Sequence, residues 1–409
     1  MRNLQVLIKV LTLCSRLFFV LFLANKMTIP ELGVYGAYSA AVFLMAYMVG
    51  LELGVLSSRN ITIEESYITS KIISRMAILI FTMSLFSIPI IWIISNYVNN
   101  GNFGIVFCLI LLEAFCTEYR KILNSLQMPL TSSLVDFMKN AGWVWPIIFH
   151  YQFNWDSLNI EVILNAWAIG LISGAIVILY SLRKYIIFEK DLLNRSLNFT
   201  SNQFLIFFNG LSFLFIEVSG RLILKLKGDA TDLGLYTLYS GFVLSIPILI
   251  WSGTLAIDYR NILNSVQKNK MIDFKIKVEN NFIRSVFYWV FLTIMSVIAI
   301  LIYLNYFSKK EFYDNINSYF LMLLIPLVNL FVTNLANVLH LNKKDNLIAL
   351  AYAIGLTLCM PYYICNKNIH LNEVILCTFL SYAIAAIMMY YFVWKNFEIN
   401  LISSFIKRF

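Results

Sequence analysis

The chain has 409 residues, of which 60% are hydrophobic, 16% aromatic and only 13% charged. An ordinary soluble chain carries roughly 45–50% apolar and about 25% charged residues, so too few polar residues remain here for the solvated shell of globular domains. A bilayer core about 30 Å thick needs about 20 apolar residues per helix, which leaves this chain room for about a dozen spans and short connections. The composition predicts an all-α, multi-pass membrane protein and excludes a soluble catalytic domain.

The net charge of +9 does not indicate nucleic-acid binding, because the 31 lysines and arginines are scattered between apolar runs and form no basic stripe. The six cysteines form no CxxC pair, and three histidines are too few for a convincing metal site. We therefore predict no metal, no cofactor and no nucleic-acid partner. The first apolar run, 4–23, lacks a small-residue cleavage site and is expected to stay as a membrane span.

Charge clusters and Asn, Gly or Pro punctuation divide the chain into twelve predicted hydrophobic helices. In chain order they span 4–23, 36–56, 72–95, 103–126, 131–150, 161–182, 203–224, 233–257, 283–304, 318–340, 346–365 and 372–394. Prolines inside these helices are expected to kink the spans rather than end them, because neighbouring groups in a membrane bundle re-satisfy the freed carbonyls.

The distribution of lysine and arginine over the loops predicts the orientation. With the N-terminus in the cytoplasm, 22 of these residues fall on the cytoplasmic side and seven on the outer side, while Lys9 and Arg16 lie within the first span. The bias supports an even number of spans and places both termini in the cytoplasm. The longest hydrophilic connection, 258–282, is then cytoplasmic.

An internal repeat relates the two halves of the chain. A shift of 201 residues aligns a Leu-Gly-x-Tyr-x-x-Tyr-Ser pattern at 32–39 with the same pattern at 233–240, and an Arg-Asn-Ile pattern at 59–61 with 260–262. Because an even number of spans separates the copies, they have the same topology, as in parallel-repeat transporters. We predict an N-terminal six-helix bundle at 1–182, a basic cytoplasmic linker at 183–202 and a C-terminal six-helix bundle at 203–409.

The segment K-M-T-I-P-E-L-G-V-Y at 26–35, the G-L-E-L-G motif at 50–54 and the repeated Leu-Gly-x-Tyr resemble the Wzx-type polysaccharide (O-antigen) repeat-unit flippases. That family belongs to the superfamily that also holds the MATE drug exporters and the lipid II flippases. The resemblance implies two six-helix bundles around a central cavity that opens alternately to each side. It also implies that an undecaprenyl-pyrophosphate-linked oligosaccharide is flipped across the bacterial inner membrane for surface polysaccharide synthesis.

The resemblance further implies contact with membrane lipid, and a polysaccharide polymerase and chain-length regulator as partners. Two other classes stay open. A MATE-like multidrug or ion antiporter would favour acidic over basic residues in its cavity, and a membrane-embedded O-antigen polymerase would show a long outer loop with arginines. The outer loops here are short, and no Walker, GxGxxG or Ser-His-Asp pattern is present, so we predict that the protein is not an enzyme.

Charged residues within spans are costly and are candidates for function by default. Lys9 and Arg16 are seven positions apart and share one face of the first helix. The planar guanidinium of Arg16 suits a pyrophosphate group, whereas the alternative is a structural pair with Glu113 or Glu217. Lys9 either lines the cavity as a second substrate ligand or extends to the cytoplasmic interface.

Four further residues have two interpretations each. Glu217 and Arg221, at i,i+4, either neutralise each other or act as an ion-coupling carboxylate and an outer substrate ligand. Glu113 either titrates in the membrane as a second coupling residue or pairs with Arg16. Lys139 is a candidate substrate ligand, and its i,i+3 spacing from Asp136 alternatively predicts a mutual pair.

Overall fold

The computed structural model describes residues 2–58, 66–99, 103–153, 158–185, 201–254, 258, 262–266, 268, 270–307, 310–397 and 399. These residues form helices and short connections, with no β-strand among them. Their contacts divide the chain into two compact units, Met1–Leu211 and Ser212–Phe409. The division falls inside a long helix at the start of the second half of the sequence.

The N-terminal unit is built around one central helix. Its helices are α1 (Arg2–Lys26), α2 (Ile29–Gly50), α3 (Leu53–Ser58), α4 (Ser66–Phe86), α5 (Ile88–Asn99), α6 (Phe103–Ser125), α7 (Pro129–Phe137), a π-helical turn (Met138–Gly142), α8 (Val144–Phe153), α9 (Ile160–Leu182) and the first part of α10 (Ser201–Lys227). Helix α6 packs against α2, α7 and α9. Its apolar side chains at 109, 110, 122 and 123 are fully buried, so this helix forms the core on which the others are placed.

The C-terminal unit contains the rest of α10 and the helices that follow it. These are α11 (Ala230–Val243), α12 (Ser245–Gly253), α13 (Met271–Phe307), α14 (Lys310–Asp314), α15 (Ile316–Met322), α16 (Leu324–Leu341), α17 (Asp345–Cys365) and α18 (Leu371–Phe397). Helix α18 packs against both α16 and α17. Helices α17 and α18 approach each other closely at Gly355. A Cβ at that position would lie 2.5 Å from the backbone oxygen of Ser381 on α18.

Nine helical segments in the described part of the chain are long and apolar enough to cross a membrane. They are Leu7–Lys26, Ile29–Gly50, Ile160–Tyr185, Phe204–Lys227, Ala230–Trp251, Met271–Asn305, Ile316–Leu341, Asp345–Cys365 and Leu371–Phe397. The predicted spans at 72–95, 103–126 and 131–150 are helical too, but they carry more charge or are interrupted. The prediction of a multi-pass helical membrane protein is confirmed.

The second helix was predicted at 36–56 but spans Ile29–Gly50. It begins earlier because Thr28 and Glu31 form a capping box, and because Pro30 lies in the first turn, where its missing N–H costs nothing. It ends earlier because Leu51 and Glu52 adopt left-handed φ angles of 51° and 55°. The shift places the G-L-E-L-G motif across the turn between α2 and α3 rather than within a span.

Prolines interrupt several predicted helices, which the sequence prediction treated only as kinks. The interruptions fall at Ser87, Leu244 and Leu323, two or three residues before Pro89, Pro247 and Pro326. A proline lacks the N–H donor and its ring clashes with the carbonyl four residues earlier, which breaks the helix just before it. Helix α17, in contrast, continues through Pro361.

The ninth predicted span, 283–304, is part of a longer helix, Met271–Phe307. Its 37 residues correspond to about 55 Å, well beyond a bilayer core of about 30 Å. Hydropathy detects only the apolar part, so the prediction did not show that the charged residues 271–282 are helical.

The repeated sequence has matching local structure in the two units. Helices α1 and α10 end at Lys26 and Lys227, and the next helices are capped by Thr28 and Asp229, again 201 positions apart. The hydroxyls at the repeated serine positions, 39 and 240, both donate to the carbonyl three residues before them. Equivalent helix ends and caps therefore recur in both halves of the chain.

Lys227 closes the C-terminus of α17. Its Nζ donates to the carbonyls of Tyr363 at 2.5 Å, Ile364 at 3.1 Å and Asn366 at 3.0 Å. A cation at a helix C-terminus satisfies the last carbonyls and interacts favourably with the helix dipole. We expect Lys227→Ala to destabilise the protein by about 1.5–3 kcal/mol, measured as a lower midpoint of thermal unfolding. Lys225→Ala, two residues earlier on α10, is the control, and equal midpoints for the two variants would contradict this role.

Candidate functional site

Charged side chains gather in the N-terminal unit where α1 packs against α7 and the π-helical turn. We call this group the basic cluster. Its members are Lys9 and Arg16 on α1, Glu113 and Arg120 on α6, Asp136 on α7 and Lys139 on the π-helical turn. Four cationic and two anionic side chains leave a formal surplus of two positive charges. Four of the site residues predicted from the sequence thus lie in one region of the N-terminal unit, namely Lys9, Arg16, Glu113 and Lys139.

Glu113 and Lys139 form a buried ion pair, with side chains 3% and 7% exposed. Lys139 also donates to the Thr117 hydroxyl at 2.8 Å. The second carboxylate oxygen of Glu113 is buried and has no hydrogen-bond partner in the described part of the chain. The expectation that Glu113 pairs with Arg16 is therefore wrong, and Lys139 is a structural partner of Glu113 in this conformation. Its role as a substrate ligand stays a prediction.

Asp136 pairs with Arg120, not with Lys139 as its spacing suggested. The Arg120 Nη1 donates to Asp136 Oδ1 at 2.8 Å. Lys139 lies in the π-helical turn, where the extra residue per turn rotates side chains away from their α-helical positions. Its ammonium is therefore directed to Glu113 on α6. The sequence does not indicate the Arg120 contact, because only the packing of α6 on α7 brings Arg120 and Asp136 together.

Arg16 lies at the edge of the face that α1 buries. Thr12, Ser15 and Phe19 on that face are at most 3% exposed, whereas Arg16 is exposed. The indole N–H of Trp145 on α8 donates to the Ser15 hydroxyl at 2.9 Å, which fixes the rotation of α1. Among the described residues Arg16 forms no ion pair within 4 Å, although its charge interacts with that of Asp136. Its guanidinium is therefore available to an anionic ligand.

Lys9 is half-buried, two turns before Arg16 on the same helix. Its ammonium also interacts electrostatically with Asp136, which is engaged by Arg120 at shorter range. The charges of both predicted basic ligands of α1 thus interact with the same carboxylate.

A second ion network joins the turn after α2 to α6. The Nζ of Lys121 donates to Glu52 and Glu118, each at 2.7 Å, and Glu118 accepts the Gly54 N–H at 2.5 Å. A Cβ on Gly54 would lie 2.5 Å from the backbone oxygen of Glu118, so a glycine is required here. The G-L-E-L-G motif is explained by this close approach.

The other two predicted site residues lie in the C-terminal unit, on the second part of α10. Arg221 donates through Nη2 to the hydroxyl of Ser240 at 2.9 Å. Glu217 interacts electrostatically with the phenols of Tyr236 and Tyr382. Their roles as outer substrate ligand and coupling carboxylate stay predictions.

The cysteines and histidines show no metal-binding arrangement in the residues that the structure covers. His340, at the end of α16, contacts Asp345 at the start of α17 at 2.5 Å.

Solved transporters share this fold. A multidrug resistance MATE family transporter of the MOP superfamily, in an inward-facing conformation, is 12% identical, with a TM-score of 0.68 over 95% of this chain and 94% of that chain. The lipid II flippase MurJ, in an inward closed conformation, is 15% identical, with a TM-score of 0.65 over 99% of this chain and 91% of that chain. A MOP superfamily transporter from Pyrococcus furiosus, described by the reverse polarity of its binding pocket, is 11% identical, with a TM-score of 0.55 over 97% and 93%.

The chain therefore has the fold of the MOP-superfamily membrane transporters. Sequence comparison does not assign the chain to a family within this fold, since no family model and no curated protein matches the sequence. Identities of 11–15% establish the fold alone.

Proposed function

We propose that this protein is a flippase of the MOP fold that moves an undecaprenyl-pyrophosphate-linked oligosaccharide across the bacterial inner membrane by alternating access. The observation that carries the proposal is the surplus of positive charge in the basic cluster, with Arg16 exposed at its edge. We propose no enzymatic activity, and we propose the polymerase and chain-length regulator of surface polysaccharide as partners.

The net positive charge of the basic cluster favours an anionic substrate. Charges inside a membrane protein are expensive and are kept where they bind a ligand or each other. Glu113 and Asp136 are already engaged by Lys139 and Arg120, so the remaining cations are not neutralised within the cluster. An arginine offers two parallel N–H donors to phosphate oxygens, whereas a cationic drug would be repelled.

The fold is equally compatible with a MATE-like antiporter, since solved MATE and lipid II flippase structures resemble the chain to similar degrees. Only the charge of the site favours the flippase. Binding of the pyrophosphate-bearing lipid in preference to a cationic drug is the experiment that separates the two functions.

We propose twelve spans in two six-helix bundles, with both termini in the cytoplasm. Reporter fusions or cysteine accessibility should then place Gly228 and Asn305 outside and 183–202 inside, because the lysine and arginine bias is strong. Fusions that report Gly228 or Asn305 in the cytoplasm would contradict this topology.

We also propose that Glu113 or Glu217 couples transport to an ion. A charged carboxylate within a span is energetically costly, and uptake of a proton removes that charge. A conformation that buries the carboxylate therefore favours its protonated form, which links conformation to protonation. Replacement of the coupling residue by Gln is expected to lower the rate of flipping in vesicles about tenfold or more and to flatten its pH dependence. The rate is expressed per correctly folded protein, because Glu113→Gln also removes the buried partner of Lys139. Glu311→Gln, which changes an exposed carboxylate on α14, is the control. If both Gln variants keep the wild-type rate and pH profile, neither carboxylate carries the coupling.

A further inference from the structure

A π-helical turn, Met138–Gly142, separates α7 from α8 and carries Lys139 of the basic cluster. Such a turn holds one residue more than an α-helical turn, and single π-helical turns occur frequently at functional sites. The turn is tightly packed, because Ala141 within it is 0% exposed and Trp143 directly after it is 8% exposed. A rare backbone geometry is therefore kept in the interior of the N-terminal unit.

The indole of Trp143 replaces a backbone hydrogen bond of this turn. In an α-helix the carbonyl of Lys139 would accept the backbone N–H four residues later, which is that of Trp143. Here that N–H donates to the Ala141 carbonyl, and the indole N–H of Trp143 donates to the Lys139 carbonyl at 2.9 Å. Gly170 on α9 makes room for the indole, since a Cβ there would lie 2.3 Å from Trp143 Cδ1. Packing against α9 thus holds the π-helical turn in place.

The chain just after the turn can take up its extra residue. Pro146 has no N–H, so the Gly142 carbonyl four residues earlier lacks its α-helical backbone donor. Movement of the extra residue toward Pro146 therefore breaks no backbone bond at that carbonyl, and it returns the Lys139 carbonyl to the backbone N–H of Trp143. The turn around Lys139 then becomes α-helical, and the indole N–H of Trp143 loses its acceptor.

Conversion to α-helical geometry changes the partner of Lys139. Residues three apart on an α-helix lie on one face, so Lys139 would face Asp136 instead of Glu113. The charges of Lys139 and Asp136 already interact, although Asp136 is bonded to Arg120. The present pairing leaves two buried atoms without a hydrogen-bond partner among the described residues, Glu113 Oε2 and Arg120 Nε. The alternative pairing therefore competes with a network that is not fully satisfied.

Glu113 has Lys139 as its cation in a region with little other charge. The other ionisable groups are Asp136 on α7, Arg120 on α6, Lys9 and Arg16 on α1, and the Cys116 thiol, which also interacts with Glu113. Of the remaining helices that pack on α6, α2 and α9 carry charge only in their first turns, α3 and α5 carry none, and α4 carries Lys71 and Arg75. A Glu113 carboxylate that lost Lys139 would be a lone buried charge, which a proton neutralises.

We propose that the π-helical turn is a switch, in which Lys139 pairs with Glu113 when that carboxylate is charged and with Asp136 when Glu113 has taken up a proton. After the transfer, Arg120 shares Asp136 with Lys139 and can turn to an anionic ligand. The inference rests on the proposed coupling role of Glu113. It identifies the backbone element that links protonation of Glu113 to the cations of the basic cluster.

The indole N–H of Trp143 reports the state of the turn, because it is bonded to the Lys139 carbonyl only in the π-helical state. NMR observes the full-length protein with isotopically labelled tryptophan in phospholipid nanodiscs while the pH is lowered. The Trp143 peak is assigned by its absence in Trp143→Phe. The variants are Glu113→Gln and Asp136→Asn, and Glu161→Gln, an exposed carboxylate in the first turn of α9, is the control.

We expect the Trp143 peak of the wild type to move from a hydrogen-bonded to an unbonded position as the pH falls. Glu113→Gln should show the unbonded position at every pH, Asp136→Asn should stay bonded at every pH, and Glu161→Gln should follow the wild type. A peak that keeps one position in the wild type and in Glu113→Gln overturns the inference. So does a wild-type pH response that persists in Asp136→Asn, and this comparison does not need Glu113→Gln to fold.

A second pair of variants tests the packing that holds the turn. Gly170→Ala places a methyl group against the indole of Trp143 and should favour the unbonded position. Gly174→Ala, four residues later on α9, has its nearest neighbouring atom at 3.5 Å and should leave the peak unchanged. Equal peak positions in these two variants would overturn the switch. If the peak shifts as expected but Glu113→Gln keeps the wild-type rate and pH profile of flipping, the coupling role of Glu113 falls and the switch stands.

Discussion

Arg16→Ala is expected to abolish or severely reduce surface polysaccharide while the protein still inserts at normal levels. Arg16 is exposed at the edge of the basic cluster, and the rotation of α1 is fixed by the bond between Trp145 and Ser15 rather than by Arg16. Loss of one charge-assisted contact costs about 1.5–3 kcal/mol, or roughly one to two orders of magnitude in affinity. Arg16→Lys should be intermediate, because an ammonium keeps the charge but not the two-point contact.

The measurement compares polysaccharide and protein abundance in the same cells. Arg183→Ala, an exposed arginine at the end of α9, is the control and should leave both unchanged. If Arg16 were only a structural residue, Arg16→Ala would lower protein abundance and polysaccharide together. Normal polysaccharide in a well-expressed Arg16→Ala strain would contradict the binding role.

Lys139→Met should destabilise the protein strongly, because it leaves the Glu113 carboxylate buried without its cation. Breaking a buried pair from one side typically costs about 3–5 kcal/mol, whereas neutral replacement of both partners is often tolerated. We therefore expect low abundance and an early unfolding midpoint for Lys139→Met, and recovery of most of both in Lys139→Met with Glu113→Gln.

An exposed ion pair provides the matched comparison. Arg284 pairs with Asp258 at 2.9 Å, but its side chain is 62% exposed. Arg284→Ala should change stability by less than about 1 kcal/mol, since exposed pairs contribute little. A double variant at Glu113 and Lys139 that stays as unstable as Lys139→Met would show that the pair is not the reason for the loss.

Each span predicted from hydropathy overlaps helix in the described part of the chain, and nine helical segments there are long and apolar enough to cross a membrane, because the need for about 20 apolar residues per span is a local property. Hydropathy misplaced the helix ends that are set by capping hydrogen bonds, by proline or by charged helical turns. The capping box at Thr28 and the proline in the first turn extended one helix backwards, and the charged start of α13 is helical outside the apolar run. The breaks before Pro89, Pro247 and Pro326 follow from lost donors, which a hydropathy profile does not weigh.

The sequence identified most charged residues of the basic cluster but not their pairing. Spacing within one helix suggested that Asp136 pairs with Lys139, yet a π-helical turn and the packing of α6 reassigned both partners. Such contacts join residues far apart in sequence, and periodicity carries no information about them.

The central claim is that the basic cluster of the N-terminal unit binds a pyrophosphate-bearing lipid. Its most direct test is a competition in nanodiscs between undecaprenyl pyrophosphate and the cationic drug ethidium, with wild type and Arg16→Ala side by side. We predict saturable binding of the pyrophosphate lipid, weakened about ten- to a hundredfold by Arg16→Ala and by added salt, and no displacement by ethidium. Tight ethidium binding that ignores both Arg16 and the pyrophosphate lipid would contradict the claim and favour a MATE-like exporter.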